Sequence, residues 1–169
     1  MASNARAQEK TVTVGGAPMY PSRNIIENAM NSKDHTTLVA AVKAAGLVET
    51  LEGAGPFTVF APTNEAFDKL PKGTVDNLLK PENKMMLTKI LTYHVVSGKY
   101  DTKAIGDLIK AGNGKATLKT VSGGTLSFWM KGSNLMITDE KGGTATVTIA
   151  NVYQSNGVIQ VINMVLMPN

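Results

Sequence analysis

The stretch from Gly55 to Leu70, GPFTVFAPTNEAFDKL, constrains the fold more strongly than any other part of the sequence. Residues 57–61 alternate and are rich in β-branched and aromatic side chains, which predicts a buried strand. Pro62 has no N–H to donate and ends the ladder, and Thr63 is placed to cap a helix that Pro71 closes. Three of the nine aromatic residues of the chain lie here, so we expect this unit to nucleate the core.

From Lys115 onward the helical pattern gives way to short strand-like runs that glycine-rich turns separate. Asn156-Gly157 is the sharpest of these turns, because both residues tolerate a positive φ. Helices first and a meander last predict an α+β fold. The strand over 57–61 must pair with this distant meander, because its backbone groups would otherwise be buried without hydrogen bonds.

Three segments of the sequence resemble the signatures of a known family. FTVFAPTNEAF, within the stretch described above, resembles the first signature of the fasciclin-like domain, a secreted adhesion module. TYHVVSGKY at 92–100 and NGVIQVINMVLMP at 156–168 resemble later signatures in the same order. The chain is therefore identified as a bacterial, single-domain member of the family. The resemblance implies N-terminal helices packed on two small, mostly antiparallel β-sheets, a wedge or sandwich, with a C-terminal meander.

The predicted domain organisation is simple. Residues 1–18 are polar and are expected to form a flexible tail, with one short extended piece at Thr11 to Val14. Residues 19–169 are expected to form one fasciclin-like domain. Two helical faces are predicted to point inward: Ile25, Ile26, Ala29 and Met30, after a cap at Ser22, and Met85, Met86, Ile90 and Leu91.

Composition narrows the possible chemistry and the partners. The chain has no cysteine, which removes disulfides and thiolate metal sites. From Lys69 to Lys119, ten lysines and four acids give a net charge of +6, whereas the remaining seven basic and nine acidic residues give −2. Such a basic segment suits an anionic polysaccharide, although a solvated lysine-rich face is the more ordinary explanation. Nucleic acid is disfavoured, because the segment has no arginine and no interleaved aromatics.

The sequence also bears on the compartment. No apolar run approaches the roughly 20 residues of a transmembrane helix. The first residues, MASNARAQEK, have no apolar core of a signal peptide. Because fasciclin-like domains are exported, the resemblance implies a secreted, periplasmic or cell-surface protein whose export signal has been removed.

Two histidines limit the enzymology that the sequence supports. His35 lies among polar residues and is expected to flank a helix, and His94 lies in a predicted strand. There is no G-x-S-x-G elbow, no H-E-x-x-H and no EF-hand loop. An enzyme is therefore the least favoured hypothesis, and we expect no cofactor and no metal.

Tyr93-His94 is the sharpest candidate for a binding site. In fasciclin-like domains the matching Tyr-His pair is implicated in integrin-dependent adhesion, which would give Tyr93 and His94 this role, flanked by Val95 and Val96. The alternating apolar neighbours favour a second interpretation, in which both side chains satisfy buried backbone groups. Trp129 is the other candidate, because we expect either Phe128 or Trp129 to be exposed, where its ring could stack on a sugar or dock a protein.

Two further positions in the family signatures carry less functional weight. Thr63 and Asn64 are explained by helix capping alone. The last signature has Gln160 and Asn163 where family members often have His and Asp, so a function that needs a charge at Asn163 is in doubt.

Together these observations predict a non-enzymatic adhesion or extracellular interaction module. Its partner would be a cell-surface or matrix protein or a polysaccharide, and we expect the module to be a monomer. The alternative is an envelope protein that binds a carbohydrate or small ligand in a groove beside the meander.

Overall fold

A computed structural model describes residues 11–53, 55–71 and 73–168. Within these residues the helices are α1 (Ile25–Met30), α2 (Thr36–Ala45), α3 (Val48–Glu52), α4 (Asn64–Asp68), α5 (Thr74–Leu78), α6 (Lys84–Tyr93) and α7 (Thr102–Ala111). The strands are β1 (Val12–Val14), β2 (Ala17–Met19), β3 (Phe57–Pro62), β4 (Val95–Ser97), β5 (Ala116–Lys119), β6 (Thr125–Lys131), β7 (Asn134–Thr138), β8 (Thr144–Gln154) and β9 (Gly157–Ile162). The predicted α+β class is confirmed.

Seven of these strands form one array in the order β4-β3-β9-β8-β7-β6-β5. β3 and β9 are parallel, in a register that runs from Phe57 opposite Gly157 to Pro62 opposite Ile162, and the other neighbours are antiparallel. The predicted pairing of the central strand with the distant end of the chain is therefore confirmed. The eleven-residue β8 joins the two small sheets of the prediction, since it pairs first with β7 and then, past register shifts, with β9.

β3 and β9 separate two hydrophobic cores. Val59 and Ala61 point into a core shared with α1, α2, α4 and α6. Phe60 points the opposite way, into a core shared with α7 and the meander, where its ring centroid lies 5.4 Å from that of Phe128. Both faces of β3 are thus covered, which explains why the stretch has almost no polar side chain in its first half.

The N-terminal part of the described chain corrects the expected tail. β1 and β2 form a hairpin through Gly15 and Gly16, both with positive φ, and Val14 and Met19 are buried. The short extended piece predicted at 11–14 is therefore one strand of a hairpin, and residues 12–18 belong to the folded unit. Residues 1–10 of the expected tail lie outside the described residues.

Three methionines that were predicted to face the core are exposed instead. Met30, Met85 and Met86 are 55%, 88% and 59% exposed, and the inward face of α6 is formed by Leu87, Ile90 and Leu91. The α6 prediction was right for Ile90 and Leu91 and wrong for the two methionines, because Met85 lies on another side of the helix and Met86 lies in its exposed first turn. The cap of α1 is Asn24, in a capping box with Glu27, and not Ser22.

The Asn156-Gly157 hairpin is present, but its turn is not the predicted one. Gln154 pairs with Gly157, so the turn residues are Ser155 and Asn156. Gly157 already lies in β9, where a Cβ would collide with the backbone carbonyl of Phe57. The glycine is therefore required by the close approach of two strands and not by a positive φ.

The two cores give a prediction for stability. Phe60 is fully buried, whereas Phe57, on the same strand, is only partly buried. We expect Phe60→Ala to lower the free energy of unfolding by about 3–5 kcal/mol, and Phe57→Ala by clearly less. Urea denaturation of both variants checks this, and a loss below about 1 kcal/mol for Phe60→Ala would show that this face of β3 is not buried.

Candidate functional site

Tyr93, the last residue of α6, lies wholly inside the protein. Its hydroxyl donates a hydrogen bond of 2.5 Å to the carbonyl of Thr125 and accepts one of 3.0 Å from the backbone N–H of Glu140. Burial of the phenol, opposed by the Glu140 hydrogen bond, raises its pKa to about 12. Tyr93 thus ties the end of α6 to the start of β6 and to the turn between β7 and β8.

His94 follows directly and is 2% exposed. Its Nδ1 lies 2.8 Å from the carbonyl oxygen of Ile90, and its Nε2 lies 2.9 Å from the backbone nitrogen of Leu166. The carbonyl can only accept and the backbone N–H can only donate, so Nδ1 carries the proton and Nε2 is the acceptor. Burial lowers the pKa of His94 to about 4, against smaller opposing effects of the Ile90 carbonyl and the charge of Asp139.

Asp139, in the turn between β7 and β8, binds the same C-terminal segment of the described chain. One carboxylate oxygen accepts the backbone N–H of Met167 at 2.9 Å, and the other accepts those of Lys141 and Gly143. His94 and Asp139 therefore hold adjacent residues of a segment that has no strand partner of its own. The side chains of His94 and Asp139 accept the backbone N–H groups of Leu166 and Met167, which a neighbouring strand would otherwise bind.

Val95 and Val96 form β4 with Ser97, and both are buried. They pair with Val59 and Thr58 of β3, and their side chains fall into the two different cores. The segment from Tyr93 to Val96 is therefore an interior crossing from α6 into the sheet. As the fold stands, none of its four side chains reaches solvent, which agrees with the structural interpretation that the residue pattern favoured.

Trp129 is placed differently from the other predicted site residues. It points outward from β6 and is half-buried, whereas Phe128 is fully buried in the core. The indole Nε1 donates a hydrogen bond of 3.0 Å to the hydroxyl of Thr138 on β7. Thr138 is diagonal to Trp129, which pairs with Met136, so the indole reaches over β7 and remains partly exposed.

The outward face around Trp129 is rich in hydroxyl groups and has two lysines. The strand registers place on it Thr117, Lys119, Thr125, Ser127, Lys131, Thr138, Thr144 and Thr146. The opposite face of the same strands packs into the core beneath. We call this surface the outer meander face. It combines a flat aromatic ring, hydrogen-bonding side chains and positive charge, which suits a polar or anionic partner.

His35 flanks the N-terminus of α2, as predicted, and its side chain is buried. Its Nδ1 lies 2.9 Å from the hydroxyl of Ser32, while its Nε2 has no hydrogen-bond partner among the described residues. Burial lowers its pKa. The polar residues around His35 in the sequence gave no indication that the ring is buried. Ser32 caps the 3-10 turn that contains Asp34 and His35, and this turn folds the ring inward.

Three amide side chains connect distant segments in ways that the sequence did not predict. Asn156 accepts the N–H of Ile25 through Oδ1 and donates to the carbonyls of Leu51 and Gly53. Asn64 accepts from Thr36 and Thr37 and donates to Lys33, which Asp could not do. Gln160 is fully buried, accepts from Asn151 and donates to Tyr100. The only signal for such roles would have been Asn and Gln inside apolar runs.

Two further properties concern only the described part of the chain. It contains no group of three or more His, Asp or Glu side chains placed to hold a metal ion. None of its helices is both long and apolar enough to cross a bilayer.

Comparison with known proteins places this geometry in a family. Residues 33–168 match the family model of the fasciclin domain. Protein sll1483 of Synechocystis sp. is 46% identical over 160 residues, which are 95% of this chain and 82% of that protein. The cell surface glycolipoprotein MPB83 of Mycobacterium bovis is 36% identical over 83% of this chain and 58% of its own length. The fasciclin domain pair of the insect cell adhesion molecule Fasciclin I superposes with a TM-score of 0.78 at 15% identity, covering 95% of this chain and 58% of that one.

The buried imidazole of His94 predicts a pH dependence of stability. The pKa is about 4 in the folded state and 6.5 in the unfolded state, so the unfolded chain takes up the proton first as the pH falls. The free energy of unfolding should therefore decrease between about pH 6.5 and pH 4 by up to about 3 kcal/mol, with His35 adding in the same direction. Urea denaturation across this range measures the loss. His94→Gln should flatten the profile, and parallel profiles of the two proteins would contradict the assignment.

The two hydrogen bonds of Tyr93 give a second prediction. Tyr93→Phe keeps the ring but leaves the Thr125 carbonyl and the Glu140 N–H without a partner, at a cost of about 1–3 kcal/mol. Amide exchange of Glu140 should accelerate together with this loss, as measured by nuclear magnetic resonance. Tyr20→Phe is the matched control, since the Tyr20 hydroxyl has no hydrogen-bond partner among the described residues. Equal effects of both variants would count against a tie between α6 and the meander.

Proposed function

The chain belongs to the fasciclin-domain family, and on that premise we propose that it is a non-enzymatic adhesion or extracellular interaction module. Its partner is a protein or polysaccharide of a cell surface or matrix, and the module acts as a monomer. We place it in a secreted, periplasmic or cell-surface location. A cell surface glycolipoprotein and an insect cell adhesion molecule are among the proteins it is similar to, which supports this proposal.

The observation that carries the proposal is the outward ring of Trp129. Partly exposed aromatic side chains are frequent anchors of protein interfaces, because they add contact area with little loss of conformational entropy. The hydrogen bond to Thr138 holds the ring in place before a partner arrives. The hydroxyl groups and the two lysines around it provide the polar surroundings of such an anchor.

Tyr93, His94, Val95 and Val96 take part in binding indirectly under this proposal. Tyr93 holds the carbonyl of Thr125, which lies on the same strand as Trp129. A substitution of Tyr93 would therefore shift the outer meander face, although Tyr93 itself makes no contact with the partner. The Tyr-His pair becomes a support of the binding surface, and its substitution should weaken binding less than that of Trp129.

A carbohydrate ligand is the second candidate function. The partly exposed ring of Trp129 lies on the same face as Ser127, Thr138 and Thr146, an arrangement in which a sugar ring could stack and form hydrogen bonds. Lys119 and Lys131 on the same face favour a sugar that carries acidic groups. Under this alternative the protein is an envelope carbohydrate-binding protein.

Substitution of Trp129 tests the proposal. The purified protein is measured against a panel of matrix proteins, a glycan array and whole cells of the species that produces it. Trp129→Ala should lower the affinity for the partner by about tenfold or more, as for interface anchors. Met86→Ala, an exposed residue on α6, is the control and should have no effect. Retained binding by a folded Trp129→Ala protein would refute this site, and the panel member that responds separates protein from carbohydrate partners.

A further inference from the structure

An open groove lies on the side of the meander away from Trp129. It has a volume of about 530 Å³ and lies between α7, the adjoining ends of β6 and β7, and β8. Gly106, Ile109 and Lys110 line it from the helix, where their spacing places them on one face. Met130, Leu135 and Val147 line it from the strands. Thr102 and Ser133 add two hydroxyl groups to these mainly apolar walls, and the size and composition fall within the range of small-molecule sites.

Gly106 keeps the groove open, because it has no side chain that would fill it. It lies in the middle of α7, where glycine is less favourable than alanine by about 1 kcal/mol. Its φ is ordinary for a helix, and a Cβ added to it would meet nothing within 4 Å. Neither backbone conformation nor a close neighbour therefore requires a glycine there. What the missing side chain does provide is open space in the wall of the groove.

Charge indicates which ligand the groove suits. Lys110 is exposed at the rim, and among the described residues that line the groove it is the only charged one. Its ammonium group has no carboxylate partner among the described residues. A ligand with an apolar body and one anionic end would satisfy both the walls and the lysine. Met130, which is 43% exposed, is unbranched and can adapt its shape to such a ligand.

The strands around the groove argue against an extended peptide as its occupant. β6, β7 and β8 each have neighbours on both sides, so none of them has a free edge to which a peptide strand could add. A small molecule needs no such edge. We propose that this groove binds a free fatty-acid anion, with its acyl chain against Ile109, Leu135 and Val147 and its carboxylate at the Lys110 ammonium.

Titration with dodecanoate, below the concentration at which it forms micelles, tests the proposal. We expect saturable binding to the full chain by calorimetry, and chemical shift changes confined to α7, the adjoining ends of β6 and β7, and β8. Gly106→Leu should fill the groove and lower the affinity by about tenfold or more, while helix propensity keeps the fold intact. Gly106→Ala, the matched control, should fold at least as well and lose clearly less affinity.

Lys110→Gln tests the charged end of the ligand, and it should fold normally because the residue is exposed. It should weaken dodecanoate binding by about two- to fivefold and leave the binding of dodecanol, the uncharged comparator, unchanged. If Gly106→Leu does not fold, Met130→Trp narrows the groove from the opposite wall and should give the same loss.

Several results would overturn the proposal. They are the absence of saturable dodecanoate binding, unchanged affinity in a folded groove-filling variant, and shift changes at another surface. Capture of an apolar peptide that dodecanoate does not displace would also do so. The proposal is independent of the adhesion function, because Trp129 and Met130 point to opposite sides of β6. Trp129→Ala should therefore leave dodecanoate binding unchanged.

Discussion

The parallel pairing of β3 with β9 is the constraint on which the rest of the structure depends. It joins residues that lie a hundred positions apart, from Phe57 opposite Gly157 onward, and it places both strands between two cores. The approach is so close at its start that Gly157 has no room for a side chain. Closing so long a loop costs conformational entropy, and burial on both faces of the pair offsets this cost.

The segment from Tyr93 to Val96 depends on this strand pair and connects it to other parts of the fold. β4 adds to the free edge of β3, so that Tyr93 and His94 are carried into the interior beside it. From there Tyr93 reaches the meander, and His94 reaches the segment after β9. The two proposed binding surfaces lie outside these interior contacts, which hold them in place. Trp129 lies on one side of the meander, and the groove beside Gly106 lies on the other.

The sequence predicted the parts of the fold that local pattern and backbone hydrogen bonding determine. The strand and helix from Phe57 onward could be read because alternation, Pro62 and the cap at Thr63 agree with one another. The pairing with the late strands followed because buried backbone groups need partners. Of the candidate site, the outward ring at residues 128–129 was predictable from strand alternation, although only the structure shows that it is Trp129.

What the sequence did not predict depends on contacts between distant segments. The exposure of Met85 and Met86 depends on which side and which part of α6 the neighbouring elements cover. His35 is buried by a turn whose neighbours in sequence are polar. The groove depends on the relative position of α7 and three strands, and no sequence pattern marks the glycine that opens it.

Native-state hydrogen exchange tests the central claim most directly: the amides of β3 and β9 should exchange slowest, together, and with the free energy of global unfolding. Exchange of β9 through a separate opening of lower free energy, while β3 stays protected, would contradict it.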